Sequence, residues 1–294
     1  MTAGLATFRR RLTLTAELVA FPHTIFALPF AFLGMILGAG GLPSLWQLLW
    51  ITIAMVGART AAMAFNRIVD RRIDAANPRT MARPLPSGRM DSGWAAAVTS
   101  ASILLFLWAS WMLRPLCLAL APLALAIVLG YSWTKRFTWL SHMALGLALA
   151  IAPVGAWIAV GGPPSWAPIL LAAAVLCWTS GFDIIYACQD VAFDRGHALA
   201  SIPARFGVRT ALRLSSLLHA IMMLALLGVA GAADLGWPFL AGLAIASMVL
   251  VHEHRIVKPD DLSRVNVAFF TLNGWVSVII FLTALVDLIL RRQG

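Results

Sequence analysis

The stretch Asn66-Arg67-Ile68-Val69-Asp70-Arg71-Arg72-Ile73-Asp74 carries Asn66, Asp70 and Asp74 at intervals of four residues. About 120 residues later, Asp183-Ile184-Ile185-Tyr186-Ala187-Cys188-Gln189-Asp190, followed by Asp194, answers it. In a helix four residues rise about 6 Å and turn about 400°, so the spacing predicts one shared face for Asn66, Asp70 and Asp74. Asp190 and Asp194 repeat the interval, with Asp183 two turns before Asp190 on roughly the same face. These two stretches hold five of the twelve acidic residues, and each follows a long apolar run. Carboxylates at the ends of membrane helices are costly unless positive charge lies between them.

The apolar runs set the fold class. Of 294 residues, 61% are hydrophobic and 12% charged, with a mean hydropathy of +0.87. A soluble domain carries about 25% charged residues. Runs of about 20 apolar residues cross a bilayer. Their periodicity predicts nine spans, near 16–39, 45–66, 91–113, 115–131, 138–160, 166–187, 209–232, 236–254 and 266–290. The expectation is an all-α polytopic membrane bundle forming one domain over residues 1–294. The connections after spans one, five and seven are short and built of Gly, Pro or a lone Asp, whereas those after spans two, four, six and eight are basic. Eighteen of the twenty-two Lys and Arg residues fall on the side of the N-terminus and those basic loops, Arg209 and Arg213 at the start of span seven included. The positive-inside rule then puts the N-terminus and both acidic stretches on the cytoplasmic side, as helix–loop caps on the bundle. The net charge of +10 is therefore a topology signal, and nucleic acid drops out as a partner. Cys117, Cys177 and Cys188 form no CxxC pair and read as small core residues. Arg9, Arg10 and Arg11 precede an apolar stretch too long and too proline-rich for a cleavable leader.

Carboxylates and amides are hard oxygen ligands suited to Mg²⁺, which keeps waters and bridges to substrate phosphates. Two helical faces bearing Asp at four-residue spacing can hold such ions with a diphosphate between them. The surrounding cations fit that picture: Arg71, Arg72, Arg79 and Arg83 follow the first stretch, Lys135 and Arg136 follow span four, and Arg205 follows the second stretch. Arg and Lys beside a metal-bound diphosphate stabilise the charge that develops as it leaves.

Asn66-xxx-Asp70-xxx-Asp74 with Arg83-Pro84-Leu85-Pro86-Ser87-Gly88 resembles the first signature of the UbiA superfamily of intramembrane prenyltransferases. Asp183-Ile-Ile-Tyr186-Ala-Cys-Gln-Asp190-xxx-Asp194 resembles the second. The span count, Tyr131-Ser132-Trp133-Thr134-Lys135-Arg136 and Ser201-Ile202-Pro203-Ala204-Arg205-Phe206-Gly207 extend the similarity over most of the chain. It is closest to the 4-hydroxybenzoate polyprenyltransferase-like branch, some members of which resemble enzymes that prenylate 1,4-dihydroxy-6-naphthoate. Many members carry Asp directly after the motif Asn, where this chain has Arg67. The resemblance implies that Asn66, Asp70, Asp74, Asp190 and Asp194 bind Mg²⁺-diphosphate, with Asp183 nearby as a further catalytic carboxylate. It also implies that Lys135, Arg136 and Arg83 contact the diphosphate. The implied partners are a polyprenyl diphosphate, an aromatic acid and the lipid bilayer of a bacterial-type cytoplasmic (inner) membrane. The implied reaction is electrophilic aromatic substitution for ubiquinone or menaquinone biosynthesis. Water would quench the allylic cation, so a site walled by helices and lipid suits the chemistry.

Other residues carry weaker signals. Arg59, inside span two and two turns before Asn66, either binds an acceptor carboxylate or pairs with the motif acids. Tyr131 and Tyr186 stand beside polar loops; Tyr186, within the second motif, suits cation stabilisation or acceptor binding. His252-Glu253-His254 lacks the spacing of a metal site and reads as a helix-end cytoplasmic cluster. His23 and His142 read as interior residues without a catalytic role, and Pro153 and Gly155 as a kink in span five. A transporter is the rival from another class, but its acids would lie at mid-span. A CDP-alcohol phosphatidyltransferase would need a single glycine-containing acidic motif, which this chain lacks.

Overall fold

The structure, a computed structural model, describes residues 2–19 and 24–291. Two helices open it: α1 (Thr2–Leu18) and α2 (Thr24–Gly38). Next come α3 (Leu45–Val69), the short α4 (Arg71–Ala76), α5 (Ser92–Leu113) and α6 (Pro115–Thr134). The centre of the chain is α7 (Ser141–Val160) and α8 (Ala167–Ala187), the second running on through a 3-10 turn at Cys188–Asp190 into the short α9 (Val191–Gly196). A five-residue α10 (Ile202–Phe206) leads to α11 (Val208–Ala232) and α12 (Trp237–Ile256). A π turn at Val267–Leu272 then opens α13 (Asn273–Arg291). Among the described residues there is no β-sheet, only an isolated bridge between Lys258 and Asp261.

Among the described residues, eight helices are long and apolar enough to cross a membrane: α3, α5, α6, α7, α8 with α9, α11, α12, and the π turn with α13. The predicted first span, 16–39, is not one such helix. Its first residues belong to α1, which ends at Leu18 and carries Arg9, Arg10, Arg11 and Glu17, and its remainder to the apolar α2, Thr24–Gly38. α1 instead ties down beside α5. Arg89 donates to both Glu17 oxygens at 2.9 and 2.5 Å, Trp94 Nε1 donates to Thr15 Oγ1 at 3.0 Å, and Arg11 lies 4.7 Å from the Trp94 ring. His23 lies outside the described residues.

Neighbouring helices follow the order α2, α3, α5, α6, α7, α8, α11, α12, α13, and the ring closes because α13 packs on α2. α2 also crosses α7. A Cβ on Gly34 would stand 2.2 Å from the Pro153 carbonyl oxygen, so only glycine lets these two backbones meet. The helix surfaces are inverted relative to a soluble protein: Leu104, Leu123, Leu224 and Met248 are exposed, while Asp287, Asn273 and Ser215 are buried. Several buried polar groups are matched by partners. Asp287 Oδ2 accepts from the Gly236 and Phe239 amides at the start of α12, and Arg291 pairs with its other oxygen at 2.8 Å. Glu253 departs from a solvated helix-end cluster, since it is fully buried between α12 and α13 and accepts from Asn273 Nδ2 at 3.2 Å. His254 meets His219 at 2.9 Å, and only His252 of the three faces outward.

Candidate active site

α3 ends and α4 begins at Asp70, whose backbone (φ −88°, ψ 3°) breaks the helix without breaking the i→i+4 pattern. The Asp70 amide donates to Asn66 and the Asp74 amide to Asp70, each at 2.8 Å. The predicted shared face of Asn66, Asp70 and Asp74 is therefore present across the junction. At Asp190 (φ −103°, ψ 6°) the extension of α8 passes into α9 in the same way, and Asp194 follows one turn later.

These acids line one cavity of about 320 Å³ at the α4/α9 end of the bundle, with Arg59, Arg83, Lys135, Asp183 and Tyr186. The two halves are joined directly. Asn77 Nδ2 donates to Asp190 Oδ1 at 3.1 Å, and Arg79 donates through Nε to the same oxygen at 3.0 Å and through its guanidinium to Asp190 Oδ2. Arg79 Nη1 also donates to the Tyr186 hydroxyl at 2.6 Å. Burial pulls the Arg79 guanidinium down, but its hydrogen bonds to Asp190 and Tyr186 outweigh that and hold it above its ordinary value.

The other carboxylates have their own cations. Asp70 accepts from Asn66 Nδ2 at 3.2 Å and pairs with Lys135 at 2.5 Å and Arg136 at 2.9 Å. Asp74 pairs with Arg83 at 2.8 Å through Oδ1. Asp74 Oδ2 is buried without a hydrogen bond, with Arg67 Nη1 at 3.8 Å. Asp194 accepts from Ser201 Oγ at 2.7 Å. Asp183 differs from the rest: it pairs with His142 Nδ1 at 2.7 Å.

Three basic residues singled out in the sequence sit elsewhere, among them Arg72, exposed on α4. Arg71 turns outward to Ser92, and Arg205 lies over Trp139 beside a neighbouring cavity of about 300 Å³. Arg136 holds Asp70 from behind, spending its remaining donors on the Val69 and Ser132 carbonyls. Asn77, Thr179 and His142 also line the cavity, and their sequence context gives no signature for it. An apolar wall of Phe182, Phe269 and Tyr186 completes it, with ring centroids 5.2 and 4.3 Å apart in succession.

Among the described residues no three His, Cys, Asp or Glu side chains converge closely enough to hold a metal ion unaided. That arrangement fits Mg²⁺, which takes one or two carboxylates and completes its shell with waters and substrate phosphate. The unbonded, buried Asp74 Oδ2 is an oxygen of the kind such an ion takes.

Residues 27–275 match the model of the UbiA prenyltransferase family. The 4-hydroxybenzoate octaprenyltransferase of Xanthomonas euvesicatoria pv. vesicatoria (strain 85-10) is 32% identical over 245 residues, covering 83% of this chain and 81% of that one. The apo structure of a UbiA homolog from Aeropyrum pernix K1 superposes with a TM-score of 0.82 at 36% identity, covering 90% of this chain and 98% of the other. A UbiA homolog from Archaeoglobus fulgidus, solved bound to GPP and Mg²⁺, shares the fold with a TM-score of 0.72 at 19% identity, covering 94% and 99%. With its matched helices, its paired acidic turns and their cavity, the chain is an enzyme of the prenyltransferase class and belongs to the UbiA prenyltransferase family.

Proposed function

We propose that the chain transfers a polyprenyl group from its diphosphate to a ring carbon of an aromatic acid, 4-hydroxybenzoate or 1,4-dihydroxy-6-naphthoate, in quinone biosynthesis. The observation that carries this is the convergence of two Asp-bearing turns and their cations on one cavity, with Arg59 and the aromatic wall lining the same space. Mg²⁺ held by Asp70, Asp74, Asp190 and Asp194, with Asn66, would neutralise the diphosphate and make it a better leaving group. Lys135, Arg83 and Arg67 stand within reach of their carboxylates and exchange them for phosphate oxygens when the substrate enters. Arg136 keeps Asp70 in place. The Phe182–Phe269–Tyr186 wall excludes water and offers ring faces to the allylic cation. Arg59 takes the acceptor's carboxylate, and Asp183 takes the proton released by the acceptor as the ring attacks. The prenyl chain, too long for this cavity, leaves sideways between helices into lipid. The basic loops put this end at the cytoplasmic face of the membrane.

The test is incubation of membranes containing the protein with labelled polyprenyl diphosphate, Mg²⁺ and each acceptor in turn, with EDTA and Asp70→Asn as controls. A labelled lipid product with one acceptor, lost in both controls, is the expected result. Failure of the folded protein to bind or consume the diphosphate overturns the reading.

A further inference from the structure

His142 is the second residue of α7, buried, and bonded through both ring nitrogens. Its Nε2 stands 3.3 Å from the Ile202 amide, and Nδ1 stands 2.7 Å from Asp183 Oδ2. A backbone amide can only donate, so Nε2 must present its lone pair. The ring proton is then on Nδ1, where it donates to the Asp183 carboxylate. The other tautomer would set Nε2–H against the Ile202 N–H, two donors facing each other, and turning the ring over would lose both bonds. Its backbone is fixed as well: Ser180 Oγ donates to the His142 carbonyl at 3.1 Å, and a Cβ on Gly146 one turn on would meet the Leu176 carbonyl at 2.6 Å. The Ile202 amide belongs to α10, whose preceding residue Ser201 donates to Asp194. His142 therefore spans from the carboxylate at the α8 wall to the loop that orients the second acidic turn.

We propose that His142 is a positioning residue for Asp183: as the neutral Nδ1–H tautomer it holds Oδ2 and leaves Oδ1 directed into the cavity toward the aromatic acceptor. Each of Asp70, Asp74 and Asp190 is oriented by Arg or Lys. A cation on Asp183 would lower its basicity and compete with the acceptor, whereas a neutral imidazole fixes its direction and leaves its charge available. This assignment rests on the proposed role of Asp183 toward the acceptor, and the two are separable by experiment.

Two measurements decide it. In ¹⁵N-histidine-labelled protein in nanodiscs, the His142 resonance, identified by its loss in His142→Leu, is expected to show the neutral Nδ1–H pattern and to move in Asp183→Asn. An Nε2–H pattern overturns the assignment whatever the activity. In prenyl transfer, His142→Leu is expected to lower kcat roughly 10- to 100-fold, with Mg²⁺-dependent binding of a prenyl thiolodiphosphate changed by no more than about twofold. His142→Asn places an amide nitrogen where Nδ1 stood and should recover most of kcat; His142→Gln, which reaches the Nε2 position, should not. Equal losses in the Asn and Leu variants, or rescue by Gln alone, overturn it. If the native protein transfers a prenyl group to no acceptor, the reaction assigned above fails, and the tautomer decides the His142 assignment by itself.

Discussion

Asp70 and Asp190 occupy equivalent places in the two halves of the chain: each adopts a near-bridge backbone (φ −88°, ψ 3° and φ −103°, ψ 6°), and each starts a six-residue helix whose fourth residue is Asp. The break lets a long membrane helix end while its polar face turns a corner into the cavity. Asn77 and Arg79, from the loop after α4, then bond Asp190 and lock the halves together.

Removing one motif carboxylate should act on diphosphate binding. Asp70→Asn leaves Lys135 and Arg136 without their shared anion and removes an oxygen that the proposed function assigns to Mg²⁺. The expected loss in kcat/KM is about 10²- to 10³-fold, together with loss of Mg²⁺-dependent binding of a prenyl thiolodiphosphate measured by calorimetry. Asp183→Asn should lose turnover and keep that binding. Retained Mg²⁺-dependent binding by Asp70→Asn would count against the assigned metal site.

Metal removal should not unfold the protein. Asp70, Asp74 and Asp190 are already matched by Arg and Lys, so EDTA alone is expected to leave the thermal midpoint in detergent unchanged. Mg²⁺ and diphosphate added together should raise it, by about 2.7 kcal/mol of stabilisation at 100 times Kd, whereas either alone should do little. A large shift with Mg²⁺ alone would mean a site complete without phosphate.

Arg79 should be irreplaceable by Lys. Its fork reaches two Asp190 oxygens and the Tyr186 hydroxyl at once, which one ammonium cannot do. Its raised pKa keeps the guanidinium charged until far above neutrality, so Arg79 adds no pH dependence near pH 7. Arg79→Lys is expected to cut turnover roughly 10- to 100-fold with a flat ratio to the parent between pH 6 and about pH 9; a ratio that changes steeply in that window would contradict it.

Much of this was legible in the sequence because both decisive signals are periodic. The four-residue interval of Asn66, Asp70 and Asp74 survives the helix break, since the amides still bond four residues back. The apolar runs delimit the long helices; only the first predicted span is divided, between α1, which ends at Leu18, and α2, Thr24–Gly38. What stayed hidden depends on which side chains meet across the bundle. Glu253 looked like part of a solvated cluster, yet helix rotation turns it toward Asn273. His142 and Asn77 stand in unremarkable contexts, and only the juxtaposition of α7 with α8, and of the α4 loop with α9, brings them to Asp183 and Asp190.

Close helix crossing should be as demanding as the chemistry. Gly34→Leu drives a side chain into the Pro153 carbonyl and should cost about 1–3 kcal/mol or more, read as a lowered thermal midpoint. Gly130→Ala is the control, since nothing lies within 4 Å of its Cβ position, and it should be neutral or stabilising. Equal midpoints for both would show that α2 and α7 can separate without loss.

Arg59 decides whether the acceptor is an acid. It lines the cavity on α3, two turns before Asn66. A guanidinium there matches a carboxylate in a bidentate pair, worth about 1.5–3 kcal/mol as a charged hydrogen bond. Arg59→Ala is therefore expected to raise KM for 4-hydroxybenzoate or 1,4-dihydroxy-6-naphthoate roughly 10- to 100-fold while leaving diphosphate binding intact. Arg59→Lys should restore only part of it, because an ammonium lacks the fork. If Arg59→Ala instead weakens diphosphate binding and leaves the acceptor KM unchanged, the residue serves the acidic motifs, and the acceptor carboxylate must be held elsewhere in the cavity.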